Sequence, residues 1–426
     1  MIFSRSFRSR ALASVFLAVQ AVAAGAAAAP AGAGEAPRTP QFFNPAISAI
    51  VDLYYHYDDA EEGIAHLAGE LSGFGHGHGH EGRDHAGVES GLNLRHLELQ
   101  FSADVDPYFK GLAIAAVDLH GAEMEAAEIT TTAMPAGFKL RGGKFYSDFG
   151  YLNARHAHQW DFTDQPLIHQ WTLGVHGLND RGVQLSWLAP APLYLLAGAE
   201  AFQGSQENLF AHVGHGPLPA HKGPRVAIGW LKAGPDLPGG HGLLGGVAVG
   251  TGKHQEEHDG DGDGEHDHWL DGVGEFLSAD LVYKYNSPRP YGQNDFTVQV
   301  EYFRRRKDLK LVAHDGAPEL VGGRRVDTQD GYYAQVVHGF LPRWRAGLRW
   351  EQAGLTNEVR YPSDDLESFG SSRRLSAMVD FTPSEFSRLR LQANRGMYQT
   401  DEGREEITEI RIQWMISLGA HGAHRF

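Results

Sequence analysis

The feature that most constrains the fold is a two-residue alternation of apolar and polar side chains that recurs along most of the chain. Near its end, Ile410, Ile412 and Trp414 share one parity, while Arg411 and Gln413 occupy the other. A period of two is typical of a β-strand with one apolar and one polar face. The repetition of this pattern predicts an all-β protein.

Sixteen stretches of the chain carry this strand signal. We predict strands at 47–57, 92–104, 109–119, 123–132, 138–146, 183–189, 193–203, 224–233, 243–252, 276–285, 295–305, 331–340, 344–353, 373–382, 386–396 and 407–418. Each is close to the roughly ten residues that a tilted strand needs to cross a bilayer. The strands of a soluble sandwich would alternate too, so the strands alone do not decide between the two folds.

The connections between these strands alternate in length. Short turns rich in Pro, such as 190–192 and 342–343, are followed by long segments such as 58–91, 147–182 and 253–275. An up-and-down barrel in an outer membrane has short periplasmic turns and long outer loops in this order. The sequence therefore predicts a transmembrane antiparallel up-and-down β-barrel of about 16 strands.

The start of the chain has the pattern of a targeting segment. A basic start, an apolar run and a series of small residues are typical of a secretory signal peptide. We expect residues 1–29 to be the signal peptide, 30–46 a periplasmic lead and 47–426 the barrel. The expected location is the cell outer membrane of a Gram-negative bacterium, in contact with its lipid.

Composition excludes several other classes of protein. The chain has no cysteine, which rules out a disulfide scaffold and a thiolate metal site. The formal net charge of −16 argues against a nucleic-acid partner, which would need a basic face. No grouping of nucleophile, base and acid stands out, so we expect no enzyme; a barrel lipase is the enzymatic alternative.

Two segments within the long connections, 76–85 in 58–91 and 254–268 in 253–275, are rich in side chains that can bind a metal ion. The candidate ligands are His76, His78, His80, His85, His254, His258, His266, His268, Asp259, Asp261 and Asp263. Imidazole and carboxylate are the ligands that a cysteine-free chain would use for zinc. We expect no tightly bound cofactor, but transient binding of zinc or another divalent cation. The alternative is a solvated acidic loop that binds metal only incidentally.

A third group of polar residues lies in the connection 147–182. In large barrels, a loop of this kind can fold inward and narrow the pore. Its candidate pore-lining residues are Arg155, His156, His158 and Asp161. The two histidines and the aspartate could hold a metal ion. Alternatively, the arginine and the neighbouring aromatic residues only pack the loop against the barrel wall.

Three stretches, at 42–52, 143–162 and 417–426, resemble one group of bacterial outer-membrane proteins. That group is labelled zinc-regulated TonB-dependent outer membrane receptor and is similar to phosphate-selective porins O and P. The resemblance implies a porin-like barrel that is made when zinc is scarce. A terminal strand that closes on Phe426 also resembles that of other outer-membrane barrels. This implies that the assembly machinery of the outer membrane recognises it.

These observations predict an outer-membrane, porin-like channel for small solutes. The predicted channel is linked to uptake of zinc or another divalent metal through its outer loops. The alternative is a closed barrel that scavenges metal or mediates adhesion without a conducting pore. A homotrimer is compatible with either function.

Overall fold

The computed structural model describes residues 46–60, 89–119, 121–174, 176–258, 267–400 and 403–419. These residues form one sheet of 17 strands. The strands are β1 (Ala46–Asp58), β2 (Gly91–Asp104), β3 (Phe109–Val117), β4 (Ala122–Thr131), β5 (Phe138–Tyr146), β6 (Asn179–Leu188), β7 (Tyr194–Phe202), β8 (Val226–Gly234), β9 (His241–His258), β10 (His268–Tyr285), β11 (Phe296–His314), β12 (Arg324–Leu341), β13 (Trp344–Arg360), β14 (Leu366–Ser368), β15 (Ser372–Ser384), β16 (Ser387–Thr400) and β17 (Gly403–Gly419).

Sixteen of these strands form a closed ring, because the first strand pairs with the last. β1 pairs with β2 on one side and with β17 on the other, both antiparallel, and Asp52 lies opposite Met415. The remaining strand, β14, is a three-residue addition that pairs with the end of β13. Closure joins the two edge strands that an open sheet would leave unpaired, as a membrane requires. The predicted antiparallel barrel of sixteen strands is confirmed.

All sixteen predicted strands are present, and most of their ends agree within four residues. The exceptions are the outer ends of β9 to β13. The predicted connection 253–275 is too long, because β9 and β10 stay paired as far as His258 and His268. On the extension of β11, the outward side chains of Arg306 and Asp308 are charged and form an ion pair. The apolar alternation therefore ends before the hydrogen-bonded ladder does.

The outward face of the barrel is apolar and its inward face is polar. On β10, Leu277 and Leu281 are 45% and 50% exposed, whereas Ser278 and Asp280 between them are buried. Exposed aromatic residues gather at the end with the short turns: Tyr108, Phe138, Trp187, Tyr291, Phe340, Trp344 and Phe386. Such a girdle is typical of the boundary between lipid and water.

Helices are short and lie in the connections. They are α1 (Leu167–Leu173) and α2 (Glu207–Phe210), with 3-10 turns at Pro135–Gly137, Ala157–Gln159, Pro290–Gly292 and Pro318–Leu320. No helix in the described ranges is long and apolar enough to cross a membrane. Six of the seven residues of α1 are buried. Trp171 of this helix belongs to one apolar cluster with Phe149, Phe303 and Tyr333.

Candidate functional site

The connection between β5 and β6, residues 147–178, folds into the barrel, and we call it the inner loop. Asn153 joins its two ends. The side-chain nitrogen of this asparagine donates to the backbone oxygens of Ser147 and Leu178, at 2.9 and 3.1 Å. Its side-chain oxygen accepts from the backbone nitrogen of Leu178 at 2.8 Å. Because Asn153 is buried, these bonds are shielded from water and hold the inner loop as one unit.

Apolar contacts fix one side of the inner loop against the barrel. The ring of Phe149 lies 4.9 Å from that of Phe276 and 5.7 Å from that of Phe303, measured between centroids. The next residue, Gly150, has a φ of 62°, and a Cβ there would lie 2.1 Å from Oε1 of Glu301. Only glycine allows both this backbone conformation and this close approach.

Ionic contacts fix the other side of the inner loop, at Asp164. Its carboxylate accepts from the guanidiniums of Arg349 and Arg374, the latter at 3.1 Å. Gln392 and Asn394 donate to the same carboxylate at 2.9 and 3.0 Å. Burial alone would raise the pKa of Asp164, but Arg374 and Arg349 outweigh burial and hold that pKa well below its usual range.

The arginines that face the inner loop form one polar surface of the lumen, which we call the arginine wall: Arg345, Arg349, Arg374 and Arg390. Arg345 donates to Asp161 of the loop at 3.0 Å and to Asp380 of β15 at 2.6 Å. Arg390 donates to the backbone oxygen of Trp160 at 3.1 Å. Both the carboxylates and the carbonyls of the inner loop therefore face fixed positive charge.

A cavity of about 200 Å³ remains between the inner loop and strands β10 to β13. Its lining includes Tyr151, Arg155, Asp161, Lys284 and Arg345. The guanidinium of Arg155 lies 4.0 Å from the ring centre of Tyr151. Burial raises the pKa of Tyr151 to about 12, so this phenol stays neutral. The cavity is a polar space inside the barrel.

The two histidines of the inner loop meet carboxylates of the barrel wall rather than Asp161. His156 Nδ1 lies 2.9 Å from Glu125 Oε2 on β4 and 3.5 Å from Glu98 Oε2 on β2. His158 Nδ1 lies 3.2 Å from the same oxygen of Glu98. We call Glu98, Glu125, His156 and His158 the histidine–glutamate cluster. The sequence pattern of the loop predicts the imidazoles of this cluster but not its carboxylates, which lie on distant strands.

The alternative prediction, that aromatic residues of the inner loop pack it against the barrel wall, is also partly right. Phe162 is buried in a small cluster with Val337 and Met378. The guanidinium of Arg349 lies 4.5 Å from the ring centre of Phe162. The loop thus combines packing residues with polar ones, and the sequence had offered these as alternatives.

Among the outer histidines, His254 is occupied by structural hydrogen bonds. It lies buried in β9, where its Nδ1 accepts from the backbone nitrogen of Ala211 at 3.0 Å. Its Nε2 lies 2.8 Å from Glu256, which also accepts from Lys307 at 2.6 Å. Both ring nitrogens of His254 therefore have protein partners. The prediction that it is a loop ligand does not fit this position.

Of the other predicted metal ligands in the outer segments, only His258 and His268 lie within the described residues. His258 and His268 are cross-strand neighbours with stacked rings, 4.4 Å between centroids. The ring of His268 also stacks on that of His314, at 5.6 Å. The remaining predicted ligands lie outside the described residues: His76, His78, His80, His85, Asp259, Asp261, Asp263 and His266.

A closed ring of sixteen strands with an apolar outer band and an inward loop defines a porin-type outer-membrane β-barrel. Solved structures share this fold. The outer membrane channel DcaP of Acinetobacter baumannii is 13% identical with a TM-score of 0.52, over 88% of this chain and 96% of that one. An anion-selective porin from Comamonas acidovorans is 10% identical with a TM-score of 0.52, over 88% and 99%. At these identities the likeness shows the fold alone.

Sequence similarity gives the family. No protein-family model matches the chain. The chain belongs to the same family as an uncharacterized protein of Aquifex aeolicus (strain VF5), with 34% identity over 407 residues, or 92% of this chain and 81% of the relative. The barrel and its lipid-facing band place the protein in the outer membrane of a Gram-negative bacterium, as predicted.

Proposed function

We propose that the protein is a channel for small polar solutes whose path is limited by the inner loop. One observation carries this proposal: the ion pair of Asp161 with Arg345, at 3.0 Å, lines a cavity between the inner loop and the wall of a closed barrel. Fixed charges beside a path create a local field, which acts on polar and charged solutes. An apolar solute gains nothing from such a field.

The size of the cavity supports a restriction to small solutes. Its volume of about 200 Å³ is below the roughly 300 Å³ at which pockets for drug-sized ligands begin. The lining is charged, with Arg155, Lys284 and Arg345 near Asp161. Inorganic ions and small charged metabolites are the solutes that such a path would favour. The channel performs no chemical step in this proposal.

A finer part of the proposal concerns divalent metal. The segments 76–85 and 254–268 are rich in imidazole and carboxylate, and the chain resembles a zinc-regulated group. At the outer ends of neighbouring strands, the stacked rings of His258 and His268 from the second segment are joined by that of His314. Outer sites of this kind would raise the local concentration of zinc. They must also bind weakly enough to release it.

Planar-bilayer recording of the refolded, full-length protein tests the channel. We expect discrete conductance steps, and a shift of selectivity toward anions when Asp161→Asn removes a carboxylate but leaves Arg345 in place. Glu319→Gln is the matched control, because Glu319 is an exposed carboxylate outside the barrel interior. A folded barrel without conductance steps would refute the channel.

The apolar filling of the lumen favours a second candidate function, that of a closed barrel. Phe202, Leu209 and Phe210 pack in the same buried cluster as Trp171 of the inner loop. A closed barrel would present its outer segments for metal scavenging or adhesion. Absence of conductance together with zinc binding by intact cells would favour it. Chemical crosslinking in the same cells tests the homotrimer, which we propose for either function.

A further inference from the structure

The histidine–glutamate cluster has no role in the proposed path. Its members come from three separate parts of the chain: Glu98 from β2, Glu125 from β4, and His156 with His158 from the inner loop. One ligand atom each of Glu98, Glu125 and His156 lies within 4.8 Å of the other two. Folding therefore brings two carboxylates and an imidazole to one point inside the barrel.

The partners of Glu98 differ from those of the buried carboxylates at the arginine wall and on its strands. Asp164, Glu351 and Asp380 each pair with arginine. Within the described ranges, the ion-pair partners of Glu98 are histidines alone: His96, His156 and His158. Among the residues that the structure describes, no guanidinium or ammonium group pairs with this carboxylate.

Two buried polar atoms at this cluster, one on Glu98 and one on His96, have no hydrogen-bond partner among the described residues and point to a bound ligand. Glu98 is 1% exposed, and its Oε1 has no hydrogen-bond partner among the described residues. His96, which is 9% exposed, has an unpartnered Nε2 4.0 Å from the other oxygen of Glu98. Buried polar atoms are paired in the great majority of cases, so an unpaired one requires an explanation. A cation bound through both carboxylate oxygens of Glu98 would satisfy Oε1.

We propose that Glu98, Glu125 and His156 bind a divalent transition-metal ion of the zinc type, while His158 orients Glu98 through the 3.2 Å contact of its Nδ1 with Oε2. Tetrahedral zinc with bonds of about 2.0 to 2.2 Å keeps its ligand atoms roughly 3.3 Å apart. The 2.9 and 3.5 Å separations between His156 Nδ1 and the two carboxylates lie on either side of that value. The imidazole ligands argue against calcium and magnesium, which prefer oxygen alone.

A metal ion at this position would join the inner loop to β2 and β4. The arginine wall holds the same loop from β13, β15 and β16. The metal would therefore add an attachment on a second part of the ring. This inference goes beyond the proposed channel and does not depend on conduction, because binding is measured on the protein itself.

Calorimetric titration of the refolded, full-length protein with zinc chloride tests the site. Other histidines will add a background, so the variants are compared with the wild type. Glu98→Gln and His156→Gln should each remove one zinc equivalent or weaken it by about tenfold or more. Magnesium chloride should give no binding at this site. Equal zinc stoichiometry and affinity in the wild type and both variants would overturn the proposal.

His176→Gln is the matched control. His176 lies in the same loop and its Nδ1 is 3.3 Å from Glu123, but its side chain is 53% exposed and it is not in the cluster. This variant should bind zinc like the wild type. A loss as large as that in the cluster variants would assign the binding to surface histidines and overturn the proposal.

Anomalous diffraction at the zinc edge from wild-type crystals decides the question even if the variants fail to fold. The expected result is a peak about 2.0 to 2.2 Å from ligand atoms of Glu98, Glu125 and His156. Zinc peaks at other histidines with none at this position would overturn the proposal.

Discussion

Replacing Asp164 by alanine should release the inner loop from the arginine wall and widen the path through the barrel. This carboxylate is the point where the loop meets two arginines and two side-chain amides at once. The neighbouring backbone of Leu167 is held by Glu351 at 2.6 Å, so part of the attachment remains in the variant. The effect is therefore a change of loop position and not loss of the barrel.

The structure gives the size of the effect. Removing one partner of a buried ion pair costs about 3 to 5 kcal/mol, because the remaining charge is left uncompensated. Here the lower end applies, since Arg349 and Arg374 both keep Glu351, at 2.7 and 3.0 Å. A loss of about 3 kcal/mol corresponds to roughly a hundredfold larger population of released loop.

The pH dependence of this attachment follows from the depressed pKa of Asp164. Its contribution is fully present above the ordinary aspartate pKa of about 3.9. It is lost only as the pH falls through the lower folded value. The attachment in the wild type should therefore be constant between about pH 5 and pH 8. If the channel opened or closed with pH in that range, titratable groups other than Asp164 would have to be the cause.

Single-channel recording is the appropriate assay. Asp164→Ala should show larger or more frequent conductance steps than the wild type. The matched control is Glu406→Gln, which breaks the ion pair of Glu406 with Arg395 at 2.7 Å. Their side chains are 60% and 70% exposed, and exposed pairs contribute little. If a folded Asp164→Ala protein kept wild-type conductance and open times, the apolar contacts alone would hold the loop.

Three further predictions concern topology, assembly and metal. Protease added to intact cells should cut within 253–275 and spare the turn at 342–343; the opposite pattern would reverse the orientation of the barrel. Phe426→Asp should lower the amount of protein in the outer membrane without lowering its secretion, and normal membrane levels would contradict this. Intact cells with the wild-type protein should bind zinc less strongly below about pH 6.5, because imidazole protonates there and cannot ligate. Replacing the histidines of 76–85 by glutamine should remove this pH-dependent zinc binding. Unchanged binding would show that these histidines are not ligands.

The barrel could be predicted because its signals are local. The strand at 138–146 has the same bounds in the sequence prediction and in the structure, since alternation and a preceding Pro turn define it without reference to any other segment. The same rule failed at the outer ends of β9 to β13. There charged residues such as Arg306 and Asp308 interrupt the apolar alternation, although the strand continues to His314.

The candidate site could be predicted only in part, because its contacts are not local. Asp161 is close to His158 in the sequence, yet it pairs with Arg345, 184 positions away. The carboxylates that do meet the histidines are 31 and 60 positions away, at Glu125 and Glu98. Which strand faces which part of the loop is set by closure of the ring. The one available signal was parity: Glu98 lies on the polar, inward face of β2.

Two parts of the lumen differ in the kind of side chain that compensates their buried carboxylates. On one part, arginines with permanent charge compensate Asp164 and Asp380, so the position of the inner loop there is fixed when the barrel folds. On the other, Glu98 and Glu125 face the same loop with imidazoles as their ion-pair partners among the described residues. A divalent cation would supply the compensating charge there, and it can be added or removed without unfolding the barrel. The arginine wall thus gives the inner loop its permanent attachment, and the proposed metal ion gives the loop a second attachment that depends on the supply of metal.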